Sequence, residues 1–134
     1  MAEDLAAERE ARLRDVWGKW NEGVRDPDAM GEITDDFALD SALTGRTFQG
    51  RQGIADWMAE IDGSFEAWEL RIDSLRATGP DRFLILGGVH LKGRGSGVEF
   101  DQPIGWVVDF DGDAVTRLSN FADHDEAVAA AQEE

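Results

Sequence analysis

The stretch that decides the fold is PIGWVVDFDGDAVTRLSNF, residues Pro103–Phe121. Apolar residues recur on both sides of Asp111-Gly112-Asp113, and an Asp-Gly pair between two such runs is a strong signal for a tight hairpin turn. We therefore predict two antiparallel strands joined at this turn, and we expect the rest of the chain to pack against this ribbon.

Length and charge limit the class of protein. The chain has 134 residues, a length typical of one domain, and we predict a single domain over residues 1–134. Its formal net charge of -16 argues against nucleic acid and anionic membranes as partners, because both would repel it. No apolar run approaches the ~20 residues of a membrane span, and the acidic N-terminus lacks the features of a signal peptide. We expect a cytoplasmic protein.

Cysteine chemistry is excluded, because the sequence contains no cysteine and therefore no disulfide, zinc–thiolate site or thiol nucleophile. The two histidines and the carboxylates show no metal-ligand spacing. We expect neither a metal site nor a cofactor.

Four helices are predicted, and the second of them is short. The first is predicted from residue 3 to about 24, with one apolar face formed by Leu13, Val16, Trp17, Trp20 and Val24. A short helix capped by Asp26 or Asp28 is predicted to run to about Ile33. The next runs from Gly50 to Gly63, with Ile54, Trp57, Met58 and Ile61 on its apolar face, and Asp123 is predicted to cap a C-terminal helix.

The remaining segments predict strands. TDDFALDSAL, from Thr34, places Phe37, Leu39, Ser41 and Leu43 on one face and Asp40 on the other, and GRTFQG, residues 45–50, is predicted to be a loop. Later strands are predicted at Trp68–Asp73, at Phe83–Leu91 and from Val98 onward. Helices followed by long antiparallel strands indicate an α+β fold, in which a strongly curved sheet wraps the helices as a cone-shaped barrel.

The chain resembles the nuclear transport factor 2-like superfamily and, within it, the SnoaL-like branch of polyketide cyclases and ketosteroid isomerase-like proteins. The resemblance rests on the order and spacing of motifs along nearly the whole chain: W-x-x-W-N-x-G, D-D-F-A-L-D, G-x-x-G-I-x-x-W-M, R-G-S-G-V-E-F, G-W-V-V-D-F-D-G-D-A-V-T-R and F-A-D-H-D-E-A. It implies a homodimer of cone-shaped barrels, each with a pocket on the concave face of its sheet. It does not choose a function, since the family includes isomerases, dehydratases, cyclases, hydrolases and non-catalytic binders.

The resemblance also implies which residues would line the pocket. Ligand contacts are expected at Trp17, Trp20, Leu39, Ser41, Trp57, Ile85, Gly87, Val89, Val107, Ser119 and Phe121. The tyrosine, aspartate base and second acid of ketosteroid isomerases align with Val16, Ser41 and Gly105. Because none of these three can fill its role, ketosteroid isomerisation is not expected.

Three residues are candidates for a catalytic role. The resemblance aims Arg117 at the cavity, where it would need either an internal carboxylate partner or an anionic ligand. The candidate carboxylate partners are Glu69, Asp73 and Asp109. Asp40 would be a general base only if a bulge turned it inward. His90 is expected on the convex face, as an interface or core residue or as a proton shuttle.

An apolar strip on the longest strand predicts assembly. The resemblance aims Gly105 and Val107 at the cavity, so the alternate residues would face outward and need covering: Val98, Phe100, Ile104, Trp106, Val108 and Phe110. We expect a homodimer through this strip.

Two functions that involve a ligand stay open at this point, beside a third possibility, a purely structural dimer with a filled cone. One is a cofactor-independent isomerase, cyclase or hydrolase acting on an apolar substrate, which would be anionic if the charge of Arg117 is free. The other is a non-catalytic binding or accessory protein that holds a small molecule, and an acid or base in the pocket with a hydrogen-bonded neighbour would distinguish them.

Overall fold

A computed structural model describes residues 2–42 and 44–133, so Leu43 lies outside the described residues. The helices are α1 (Ala2–Asn21), a 3₁₀ helix (Pro27–Met30), α2 (Gly50–Ser64) and α3 (His124–Ala131). The strands are β1 (Ile33–Ser41), β2 (Arg46–Gln49), β3 (Phe65–Gly79), β4 (Arg82–Gly93), β5 (Glu99–Asp111) and β6 (Ala114–Phe121). Among the described residues, no helix is long and apolar enough to cross a membrane.

The strands form one open six-stranded sheet in the order β2-β1-β6-β5-β4-β3. The predicted α+β fold is confirmed, but the sheet is mixed rather than wholly antiparallel, because β1 and β6 run parallel. A parallel pair needs a long crossover connection, and here the chain from β2 through β5 supplies it. The predicted loop at residues 45–50 is wrong, since β2 pairs with β1 there.

The predicted hairpin is confirmed. β5 and β6 pair antiparallel, and Gly112 in their turn has a φ of 63°, in the left-handed region that favours glycine. Arg9 and Arg12 of α1 donate hydrogen bonds of 2.6 Å to the carbonyl oxygens of Gly112 and Asp113. These two bonds attach the first helix to the hairpin turn.

The inner face of the sheet packs on α1 and α2 and contains the main apolar core. Trp17 and Trp20 of α1 and Trp57 of α2 are buried against inward side chains of β1, β4 and β5. Asn21, at the end of α1, exchanges two hydrogen bonds of 2.8 Å with the backbone of Leu70, so the helix end is fixed to edge strand β3. Burial of these indoles stabilises the fold, because each removes a large apolar area from water.

The predicted inward and outward faces of β5 are wrong, because they are reversed in the structure. Trp106 faces inward, 2% exposed, with its ring 5.2 Å from that of Trp17 in an edge-to-face arrangement. Ile104, Val108 and Phe110 lie in the same core, so these residues cannot form the predicted dimer strip. Both faces of β5 are apolar in this segment, and alternation of polarity therefore could not identify the inner one. A homodimer stays a prediction, without an assigned face.

The outer face of β5 is covered by α3. Val107 and Leu84 pack with Ala127 and Ala131 of that helix. A Cβ atom added at Gly105 would lie 2.4 Å from the Cβ of Ala127, so this glycine permits the close approach of α3. Gly105 and Val107 therefore do not face the inner cavity, as the resemblance had implied.

The predicted direction of Arg117 is also wrong. The β5–β6 register shifts between the pairs Asp109↔Arg117 and Phe110↔Val115, which leaves Thr116 as an extra residue. Such a bulge reverses the alternation of side chains beyond it. Val115 and Leu118 consequently both reach the inner core, while Arg117 is turned to the outer face with its side chain 54% exposed.

Candidate functional site

The inner core contains an apolar cavity between α1, α2 and the sheet. It has a volume of about 50 Å³. One water needs roughly 10–15 Å³ on this measure, so the enclosed space has room for a few waters, and a six-membered ring, which fills a cavity of about 150 Å³, would extend toward the open end of the cavity. The lining comprises Val16, Trp17, Lys19, Trp20, Val24, Ala29, Met30, Leu39, Ile54, Trp57, Met58, Leu70, Trp106 and Leu118.

Four tryptophans, Trp17, Trp20, Trp57 and Trp106, contribute to the wall of the cavity. The rings of Trp20 and Trp57 lie 5.2 Å apart, and Trp57 meets Trp106 edge to face at 6.2 Å. Trp17 and Trp20 both reach the cavity because residues three apart share a helical face. Exposed Val24 and part-exposed Lys19 are the lining residues nearest to solvent.

The indole N–H groups of this wall differ in their partners. Trp20 donates a 2.7 Å hydrogen bond to the carbonyl oxygen of Trp68. The Nε1 atoms of Trp57, Trp106 and Trp68 are buried and have no hydrogen-bond partner among the described residues. Trp57 and Trp106 line the cavity, whereas Trp68 does not. Leaving a buried donor unpaired costs about 1–3 kcal/mol, so these groups need an explanation.

Arg25 supports one side of the cavity from outside. Its guanidinium carbon lies 3.5 Å from the centre of the Trp20 ring, and its Nε donates a 3.0 Å bond to Asp62. Arg25 also donates to the carbonyl oxygen of Trp20 at 2.8 Å. One face of Trp20 thus already has a cationic partner supplied by the chain itself.

The predicted ligand contacts divide into three groups. Trp17, Trp20, Leu39 and Trp57 line the cavity. Ile85 and Val89 are buried in the surrounding core, Ser41 is buried beside Asn120 at 3.5 Å, and Gly87 lies tightly against the backbone of Arg71. Val107, Ser119 and Phe121 lie on the outer face, beside α3.

Arg117 and Asp40 are brought together, but outside the cavity. Arg117 Nε donates a 2.6 Å bond to Asp40, which also accepts from Thr47 at 2.8 Å and from Ser119 at 3.3 Å. Partial burial raises the pKa of Asp40, but the hydrogen bonds from Arg117 and Thr47 outweigh it and hold the pKa below its ordinary value. The expected partners Glu69, Asp73 and Asp109 are therefore wrong, and the inward base role of Asp40 is wrong as well.

His90 lies on the outer face, as expected. Its Nδ1 is 2.7 Å from Asp101 and its Nε2 is 3.1 Å from Glu99. Hydrogen bonding to Asp101, with a smaller contribution from Glu99, raises the pKa of His90 above its ordinary value. His90 does not reach the cavity. Among residues 2–42 and 44–133, no group of three or more histidine or carboxylate side chains could hold a metal ion.

Several lining residues were not predicted as ligand contacts. Val16, Ile54 and Met58 were assigned to apolar helix faces, and those faces were the available signal. Trp106 and Leu118 were missed because both strand directions were misassigned. Of the three positions aligned with isomerase catalytic residues, Val16 lines the cavity, Ser41 is buried next to it in the inner face, and Gly105 lies under α3.

Comparison with solved structures identifies the fold. A ketosteroid isomerase-like protein from Catenulispora acidiphila, solved in complex with trimethylamine, matches with a TM-score of 0.72 and 20% identity, over 82% of this chain and 83% of that one. An NTF2-like protein of unknown function from Burkholderia pseudomallei matches with a TM-score of 0.75 and 14% identity, over 92% and 97%. A candidate polyketide cyclase from Xanthomonas campestris matches with a TM-score of 0.72 and 22% identity, over 92% and 96%.

These similarities establish that the chain has the NTF2-like α+β fold shared by ketosteroid isomerase-like and SnoaL-like proteins. No protein-family model matches the sequence, and no curated protein matches it either. The solved neighbours include a candidate cyclase and proteins of unknown function, so the fold by itself does not select an activity.

Proposed function

We propose that this protein binds a small, largely apolar molecule in the tryptophan-lined cavity, without catalysing a reaction there. The observation that carries the proposal is the chemistry of the lining. Among its described residues, the one ionisable side chain is Lys19, and that side chain forms a 3.0 Å ion pair with Asp15 on the helix surface. An isomerase, cyclase or hydrolase would need an acid or base within reach of its substrate.

The shape of the cavity supports binding. Rigid aromatic walls with few polar groups are typical of small-molecule sites, and such a wall loses little conformational entropy when a ligand enters. The similar protein from Catenulispora acidiphila was solved with trimethylamine, which is also a small molecule. A charge preference is no longer expected from Arg117, because its guanidinium is paired outside the cavity.

The test is a titration with methylenecyclopentane, a small hydrocarbon, followed through the indole N–H signals of the five tryptophans by NMR. We expect saturable shifts in the signals of the four lining tryptophans. Ala29→Leu adds side-chain volume at the lining and should abolish the shifts while the protein stays folded. Ala122→Leu, an exposed substitution outside the lining, is the matched control and should bind like the wild type.

Two results would contradict the proposal. One is the absence of any saturable shift in the wild type, and the other is identical binding by the Ala29→Leu variant. Ketosteroid isomerisation stays a negative prediction, and measurable turnover of a ketosteroid would show that the cavity contains chemistry which this lining does not explain.

A further inference from the structure

We infer that the cavity selects a neutral ligand that carries a hydrogen-bond acceptor oxygen, such as a carbonyl, which accepts from the indole N–H groups of Trp57 and Trp106. The inference rests on the proposed function, because it assigns the ligand class of the same cavity. Trp57 and Trp106 are 4% and 2% exposed and both contribute to the lining of the cavity, and the Nε1 atom of each is buried without a hydrogen-bond partner among the described residues.

The rest of the wall leaves the indole N–H groups of Trp57 and Trp106 as the polar groups that would distinguish one ligand from another. Trp20 donates its N–H to the carbonyl oxygen of Trp68 at 2.7 Å, so its side chain has no further donor for a ligand. The other lining side chains are apolar apart from Lys19. A ligand without an acceptor would leave both N–H groups unpaired, whereas one carbonyl oxygen has two lone pairs and can accept from more than one donor.

The same groups disfavour a cationic ligand. An indole N–H is the positive edge of its ring, and a cation is attracted to the ring face instead. One face of Trp20 is already covered by Arg25. An anionic ligand would have to give up its hydration in a lining whose one described cation, Lys19, is already paired with Asp15, and this is unfavourable for a full charge. A neutral acceptor satisfies the donors without burying a charge.

The experiment compares cyclopentanone with methylenecyclopentane, which have similar shapes and differ in having a carbonyl oxygen or a methylene group. The measured quantity is the ratio of the two dissociation constants, because the ratio cancels the common contribution of apolar burial. Removing the two N–H donors should lower the preference for the ketone about tenfold in the Trp57→Phe/Trp106→Phe variant, which keeps aromatic rings but has no N–H at either position.

Trp68→Phe is the matched control. It also removes a buried, unpaired N–H, but that group does not line the cavity, so the ratio should equal that of the wild type. A second readout needs no variant. In the wild-type protein, cyclopentanone should shift the Trp57 or Trp106 N–H signal downfield through the hydrogen bond, whereas the shifts caused by methylenecyclopentane should lack this downfield contribution.

The outcomes separate this inference from the function on which it depends. If the hydrocarbon binds but the ratio is the same in the double variant, or the N–H signals respond equally to both probes, acceptor recognition is wrong and apolar binding stands. Tighter binding of tetramethylammonium than of cyclopentanone would also overturn it, because a cation uses ring faces. If none of the probes binds, both the inference and the proposed function fail.

Discussion

The inner and outer faces of the sheet differ in how completely their polar side-chain groups are hydrogen-bonded. On the outer face, Asp40 accepts from Arg117, Thr47 and Ser119, and His90 lies between Asp101 and Glu99. On the inner face, Trp57 and Trp106 bury N–H groups that no described residue accepts. Paired charges near solvent contribute little energy, whereas unpaired buried donors cost energy unless a ligand pairs them. The comparison therefore points to the inner face as the binding site, although the outer face has the charges.

A charge introduced on the inner face should do more damage than any change on the outer face. Trp106→Glu should prevent cooperative folding, because truncating a buried tryptophan costs ~3–5 kcal/mol and an unpaired buried carboxylate adds a further penalty. Circular dichroism during thermal unfolding measures the effect.

Val98→Glu is the control for Trp106→Glu. Val98 is 58% exposed just before β5, and its substitution should change the free energy of unfolding by no more than ~0.5 kcal/mol. A folded Trp106→Glu variant that only dissociates an oligomer would restore the outward direction of β5 and contradict the structure.

The second prediction tests the cover on the outer face. Gly105→Ala should destabilise the protein by ~1–3 kcal/mol, because the new Cβ would collide with Ala127 and force α3 to move. Gly63→Ala is the matched control, since a Cβ at this helical position meets nothing within 4 Å. Alanine there should be neutral or stabilising by up to ~1 kcal/mol. Urea denaturation distinguishes the two, and equal stability of both variants would mean that α3 does not pack on β5.

The sequence predicted where the helices and strands lie better than it predicted which face of a strand points into the core. The Asp-Gly turn and the apolar periodicity of α1 and α2 were local signals, and the hairpin and three cavity tryptophans followed from them. The direction of Trp106 depended on which of two apolar faces α3 would cover, and that is decided by tertiary packing. The direction of Arg117 depended on an extra residue at Thr116, and a bulge leaves no clear mark in a pattern of period two.

The third prediction concerns the outer ion pair. Arg117→Ala should cost only ~0.2–1 kcal/mol at neutral pH, because the Arg117 side chain is 54% exposed and ion pairs near solvent contribute little. The folded state lowers the pKa of Asp40 from an ordinary value of 3.8, so the stabilisation is present above that value and is lost as the pH falls through the lowered pKa. The stability difference from the wild type should therefore disappear in acid.

A double-mutant cycle with Asp40→Asn isolates the Arg117–Asp40 interaction, and urea denaturation at several pH values measures it. A coupling of ~3–5 kcal/mol would instead indicate a buried pair and would place Arg117 inside the protein.

The fourth prediction concerns the pKa of His90 and compares the contributions of two carboxylates on the outer face. The folded-state pKa of His90 should lie above its ordinary value of 6.5 in an NMR titration of the imidazole signals, because Asp101 and Glu99 both stabilise the protonated ring. Asp101→Asn should lower that pKa more than Glu99→Gln, since Asp101 is nearer, at 2.7 Å against 3.1 Å. With a raised folded pKa, the small stabilisation is fully present below the unfolded pKa and is lost as the pH rises through the folded one.

Neither substitution should change ligand binding, because His90 does not line the cavity. If Asp101→Asn altered the dissociation constant of methylenecyclopentane, the two faces of the sheet would be energetically coupled, and their separation into a paired surface and a binding cavity would be wrong.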